Sequence, residues 1–240
     1  MPAFLDEFLF PRRPTPDRPL LGQTVLVVED SRFAGETMRL MCLRGGARIR
    51  RADSLRAAAR HLGSYRPSIV LVDPGLPDGS GLDLISQLVA RTPRVPTILA
   101  VSGDPGLEQA AFDAGADDFL TKPFGTVAAF HNALLARLPA DQKPMGLRLL
   151  SNEVLSAAPN ALHDDLALLS DLLSRQPDQH TLVYAARFGE SLGRSVGDTA
   201  LTEASVRVLR AGEAGEATEG AATALADVTR QRLSPGSLAM

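Results

Sequence analysis

The sequence predicts a doubly wound α/β fold, a five-stranded parallel sheet, followed by an all-α helical bundle. Three observations carry this. Five short runs rich in β-branched residues alternate with amphipathic stretches between Gln23 and Pro139. Those runs are nearly continuous in apolar residues, the pattern of strands covered on both faces. Beyond about Asp141 such runs stop, and only helical periodicity remains.

The strands, in order, are TVLVVE, ARIRRA, SIVLVD, TILAVS and ADDFLT. Helical stretches over 31–44, 54–63, 81–92, 105–114 and 125–138 alternate with them. Right-handed crossovers between parallel strands place those helices on both faces of the sheet. In the second half the helical pattern covers 146–158, 160–175, 178–193, 199–211 and 214–232. Pro144, Pro159, Pro177, Gly212 and Gly215 punctuate it. Leu147, Leu150 and Val154 make one apolar stripe; Leu162, Leu166, Leu169 and Leu173 make another, as in a small antiparallel bundle. Ahead of the first strand, MPAFLDEFLF holds three of the nine Phe, its apolar Phe4, Leu5, Phe8 and Leu9 recur at helical spacing, and PRRPTPDRP reads as an extended linker. The expected organisation is a Phe-rich segment and linker over 1–21, an α/β domain over 22–139 and a helical domain over 145–235.

Composition bounds the function classes. With 240 residues, 45% hydrophobic and 22% charged, the chain has an ordinary soluble globular composition. The single cysteine, Cys42, excludes an internal disulfide and a multi-cysteine zinc site, and it fits a reducing, cytoplasmic compartment. No run of 18 apolar residues occurs, so no membrane-spanning helix is expected. The net charge of −3 divides unevenly: 22–139 carries +1 and 140–240 carries −4. Of the 25 basic residues only Lys122 and Lys143 are lysines, so their placement is informative.

Three predicted strand ends carry carboxylates: Glu29 and Asp30 after the first, Asp73 after the third. Neighbouring parallel strands bring these acids together, and clustered carboxylates persist only where a cation or a proton relieves them. A hard divalent ion such as Mg²⁺ suits oxygen ligands. Ser102 ends the fourth strand and Lys122 follows the fifth, just before Pro123, so a hydroxyl and an ammonium face the acids. A carboxylate flanked by two cations is suited to accepting a phosphoryl group.

With VLVVEDS, LVDPGLPDGSGLDL, ILAVSG and GADDFLTKPF in order on the predicted strand ends, residues 22–139 resemble the receiver domain of two-component response regulators, a flavodoxin-like fold. Pro77 and Gly81 also match the family pattern. The resemblance implies that Asp73 is the phosphoacceptor. It implies that Asp30 binds Mg²⁺ directly, Glu29 mainly through water, and the carbonyl of Gly75 as a further ligand. Ser102 would hydrogen-bond the phosphoryl group and Lys122 would pair with it. Pro123 would follow a cis peptide, and Phe119 would hold the aromatic switch position. The implied phosphodonor is a sensor histidine kinase or a histidine phosphotransfer protein.

For the helical half, an interaction or dimerisation module is expected, partnered by another protein or a second copy. DNA binding is disfavoured by the −4 charge, since a DNA-reading module needs Lys and Arg to neutralise phosphates. AARFGESLGRSVGDTAL is faintly similar to histidine phosphotransfer domains, but Arg187 stands where the phosphorylated His would be and Glu190 where a Lys would be. Tyr184 and Phe188 share a helical face and are expected in the core; His163 is expected on the surface. No enzyme is expected. A phosphatase similar to the haloacid dehalogenases would need a second Asp two residues after Asp73, and position 75 is Gly.

Overall fold

A computed structural model describes residues 13–146, 151–175 and 177–234. The Phe-rich segment and the leucines of the stripe at 147 and 150 lie outside them. Five strands form one parallel sheet: β1 (Thr24–Val28), β2 (Arg48–Ala52), β3 (Ile69–Val72), β4 (Thr97–Ser102) and β5 (Asp118–Thr121). Their order is β2-β1-β3-β4-β5, so the chain reverses direction across the sheet between β1 and β3. The register pairs Val28 with Val72 and Val72 with Ala100, which aligns the carboxyl ends of the central strands. Ser102 pairs with Thr121 one strand further on.

The period-2 alternation of the strands builds two cores. Val25, Val27, Ile69, Leu71, Leu99 and Val101 face α1 (Arg32–Arg44) and α5 (Val127–Arg137), with Met38, Met41, Phe130 and Leu134 packed onto them. Leu26, Val28, Val70, Val72, Ile98 and Ala100 face the other side. There α2 (Leu55–Ser64), α3 (Gly81–Ala90) and the short α4 (Glu108–Asp113) supply Ala58, Ile85, Leu88 and Ala111. The expected helix over 105–114 is a 3₁₀ turn, Pro105–Leu107, followed by α4. Ser31, Ser54, Ser80 and Thr126 each cap the helix they precede by accepting from a backbone N–H in its first turn.

Among the described residues, four helices form the second half: α6 (Pro159–Ser174), α7 (Gln179–Val196), α8 (Thr199–Glu213) and α9 (Glu219–Leu233). Leu166, Leu169, Leu182, Phe188, Leu192, Leu201, Val208 and Leu225 make their core. α7 and α8 approach closely because α7 presents glycines. A Cβ on Gly189 would lie 2.6 Å from Ser205 Oγ, and one on Gly193 would lie 2.5 Å from Thr202 Oγ1. Asp198 caps α8 and pairs with Arg232 of α9 at 2.6 Å, fastening the two ends of this layer.

Of the helix expected over 146–158, the described part beyond 150 is not helical. Residues 151–158 run as an extended strap along the α/β domain. The strap is bonded at three points: Val127 N to the Glu153 carbonyl (2.8 Å), Ala157 N to Thr37 Oγ1 (3.1 Å) and Arg44 to Glu153 (3.0 Å). Leu155 packs on the α1–α5 core while Val154 is 68% exposed, the alternation of an extended chain. Pro159 disfavours helix at Ala158 and then starts α6 itself.

Candidate functional site

The carboxyl ends of β1, β3 and β4 converge on a cavity of about 460 Å³ that the helical half covers. Glu29 and Asp30 leave β1 one and two residues beyond Val28, and Asp73 leaves β3 one residue beyond its partner Val72. An oxygen from each of the three lies within 4.8 Å of the others. Among the described residues they are the only group of three or more acidic, His or Cys side chains arranged to hold a metal. Lys122 follows β5 across a buried gap, its Nζ 2.6 Å from Asp73 Oδ2 and 2.6 Å from Glu29 Oε2, with its side chain fully buried. The Lys122–Pro123 peptide is cis.

Three carboxylates against one ammonium leave negative charge uncompensated. Burial, with Asp73 nearby, pushes Asp30 up from 3.8 to about 7; burial also raises Glu29 well above the usual carboxylate range, despite Lys122. Burial alone would lower the Lys122 ammonium, but Asp73 and Glu29 more than offset it and hold it above the ordinary value. An all-oxygen site with surplus negative charge suits a hard divalent cation such as Mg²⁺. Asp30 gives one oxygen, Oδ2, to Tyr184, so its other oxygen remains for a cation. A cation must displace the proton that Asp30 holds below about pH 7. Mg²⁺ affinity is therefore expected to fall by up to about tenfold per pH unit below that point and to level off above it, as measured by calorimetric titration.

The other expected residues stand around this cluster. Gly75 N donates to Asp73 Oδ1 at 2.6 Å, and Gly75–Leu76 pairs with Gly79–Ser80 in a short antiparallel hairpin beside the site. Pro77 sits in that hairpin's turn. The next residue, Asp78, accepts from Leu55 N (2.8 Å) and Arg56 N (3.0 Å) at the start of α2. Gly81 is needed because a Cβ there would lie 2.0 Å from the Asp73 carbonyl oxygen. Ser102 is buried and its Oγ accepts from Asp104 N at 3.1 Å, leaving its proton to donate. Phe119 is half-buried against the α2–α3–α4 core.

Sequence reasoning missed the residues that the helical half brings to this site. Tyr184, expected in the core, donates its hydroxyl to Asp30 Oδ2 at 2.7 Å, while Phe188 is in the core as expected. Ser191 Oγ lies 3.4 Å from Lys122 Nζ, and its backbone closes on Gly103, where a Cβ would meet Ser191 Cα at 3.1 Å. Asp165, in α6, is buried and accepts three hydrogen bonds from the start of α1: Ser31 Oγ (2.7 Å), Arg32 N (2.8 Å) and Phe33 N (2.9 Å). The carboxylate thus caps a helix of the other half, where backbone N–H groups and the helix dipole favour an anion. Phe33 packs against the helical core. His163 is exposed, and none of the four histidines joins the carboxylate cluster.

Fold and site define the class: a doubly wound α/β protein whose buried acidic cluster faces a lysine at the carboxyl ends of its strands. Residues 25–134, a little under half of the chain, match the model of the response regulator receiver domain. The chain is 30% identical over 141 residues to the KDP operon transcriptional regulatory protein KdpE of Escherichia coli K12, covering 58% of this chain and 63% of that protein. It is 34% identical over 116 residues to the transcriptional regulatory protein KdpE of Mycobacterium tuberculosis CDC 1551 / Oshkosh, covering 48% and 49%. The chain therefore spans about half to two thirds of the length of these curated relatives. Among solved structures, the CheY-like receiver domain from Methylobacillus flagellatus is 30% identical, covering 48% of this chain and 98% of that one, with a TM-score of 0.44. No helix among the described residues is long and apolar enough to cross a membrane.

Proposed function

We propose that this chain is a phosphorylation-switched, non-enzymatic cytoplasmic response regulator that accepts a phosphoryl group on Asp73 with Mg²⁺. Residues 22–139 act as the receiver and 145–235 as a helical output module that engages a protein partner or a second copy. The observation that carries the reading is the Glu29–Asp30–Asp73 cluster with Lys122 Nζ 2.6 Å from Asp73. The implied donor is a phosphohistidine of a sensor kinase or phosphotransfer protein. An oxygen of Asp73 attacks phosphorus as the P–N bond breaks and its electron pair returns to the imidazole. Water later cleaves the acyl phosphate, restoring the carboxylate and releasing inorganic phosphate.

The chain's own residues serve that transfer. Lys122 is placed to balance charge on the transferring oxygens, and Ser102 to donate its hydroxyl to one of them. Glu29, Asp30, Asp73 and the Gly75 carbonyl would hold Mg²⁺, which supplies further charge neutralisation there. Phe119 would report occupancy by moving inward. The helical half touches Asp30 through Tyr184 and Lys122 through Ser191, so a change at Asp73 alters its seating directly.

A DNA-binding output is the second reading, because the curated relatives are named transcriptional regulatory proteins. The −4 charge of 140–240 argues against it, and so does the use of the helical face to cover the site. A mobility-shift assay with the phosphorylated chain at low salt separates the two readings. For the receiver itself, a small acyl phosphate with Mg²⁺ should phosphorylate the wild type, and chelation or Asp73→Asn should abolish the uptake. No uptake by the wild type would overturn the reading.

A further inference from the structure

The contacts of α7 with the site fall on one helical face at a regular interval. Tyr184 reaches Asp30 at 2.7 Å and Ser191, seven residues on, reaches Lys122 at 3.4 Å. Asp30 and Lys122 flank Asp73. Between the two anchors on that face stand Arg187 and Phe188; Phe188 is buried in the helical core, which leaves Arg187 as the polar residue there. Arg187 lines the cavity that also contains Asp73, Gly75 and Ser102. The nearest acid on its own helix, Glu190, is engaged by Arg194 at 2.8 Å. Arg187 itself has no hydrogen-bond or ion-pair partner among the described residues.

We infer that Arg187 is a phosphoryl-binding residue supplied by the helical half, and that phosphorylation of Asp73 tightens the seat of that half instead of releasing it. The inference rests on the phosphoacceptor reading above. A guanidinium presents a planar fork of donors that matches phosphoryl oxygens. With the two halves docked there is room for the added group, because the cavity of about 460 Å³ lies between them. Phosphorylation adds negative charge where Lys122 is already shared between two carboxylates. A second cation from α7 meets that charge, and the phosphoryl group becomes a bridge between the halves.

The test uses the full-length chain with beryllofluoride, a phosphoryl mimic, in the presence of Mg²⁺. Half-saturation is followed by fluorine NMR in wild type, Arg187→Ala and Arg187→Lys, and hydrogen exchange is read over α7. Loss of a charge-assisted contact predicts about 10- to 100-fold weaker binding in Arg187→Ala, with Arg187→Lys between it and wild type. Protection of α7 should rise on binding in wild type and not in Arg187→Ala. The melting temperatures of the three mimic-free proteins should agree, since Arg187 is exposed and unpaired. Equal affinity in wild type and Arg187→Ala, or protection of α7 that falls on binding, would overturn the inference alone. A wild type that binds no beryllofluoride with Mg²⁺ present would overturn the phosphoacceptor reading and this inference with it.

Discussion

Asp165→Ala is expected to detach the helical half from the receiver, with a loss of about 2–4 kcal/mol in the free energy that holds the two together. The carboxylate is 1% exposed and accepts from Ser31 Oγ, Arg32 N and Phe33 N. Its removal leaves these donors facing a cavity. Ser31 still caps α1 internally through Ala34 N at 3.0 Å, so the receiver itself should stay folded. Asp165→Asn keeps one acceptor oxygen and should lose less. The nearby Arg32–Asp164 pair cannot substitute, because both side chains are largely exposed and such pairs contribute little. Limited proteolysis in the strap at 151–158, with hydrogen exchange over α1, reads the effect. An Asp165→Ala protein as resistant as wild type would show that the docking does not depend on this cap.

Lys122→Ala is expected to cost about 3–5 kcal/mol of stability at pH 8 without divalent cation. The ammonium is fully buried and is the near counter-charge of Glu29 and Asp73, each at 2.6 Å. Without it, three carboxylates share a buried site with no cation. They can respond only by taking up protons or a metal. The deficit should therefore shrink as pH falls and when Mg²⁺ is added, while phosphoryl uptake stays impaired under both conditions. Denaturant melts of wild type and Lys122→Ala at pH 8 and pH 5.5, each with and without Mg²⁺, test this. A deficit independent of both pH and Mg²⁺ would mean that lost packing, not charge, carries the effect.

The sheet was legible chiefly through β1, β3 and β4, short buried runs rich in Val, Ile and Leu; the edge strands β2 (RIRRA) and β5 (DFLT) are weaker signals. The order of those runs, with acids at their ends, also placed Glu29, Asp30 and Asp73 together before any geometry was known. What local patterns could not show was which side of each C-terminal helix meets the receiver. Tyr184 has an apolar ring and one polar atom, so periodicity reads it as core, and the ring does sit beside Phe188. Only the fold reveals that its hydroxyl ends on Asp30, 154 residues away. Asp165 stands beside Asp164 in HDDLALLSDLL and looks like any solvated helical acid. It is set apart by a partner 134 positions earlier. The strap was misread for a related reason: Leu147, Leu150 and Val154 fit a helical pattern, but Leu155 and Ala157 find their partners on the receiver, and Pro159 separates them from α6. Tertiary contacts decided these cases against local propensity.

Under the proposed function, Asp73 forms an acyl phosphate inside a pocket built by both halves of the chain. Incubation with a small acyl phosphate and Mg²⁺, reduction with borohydride and peptide mass mapping test it most directly, since reduction converts a phosphorylated aspartate to homoserine. Homoserine is expected at position 73 alone, and none when Mg²⁺ is chelated. Unmodified Asp73 under these conditions, or conversion at a different acid, would contradict it.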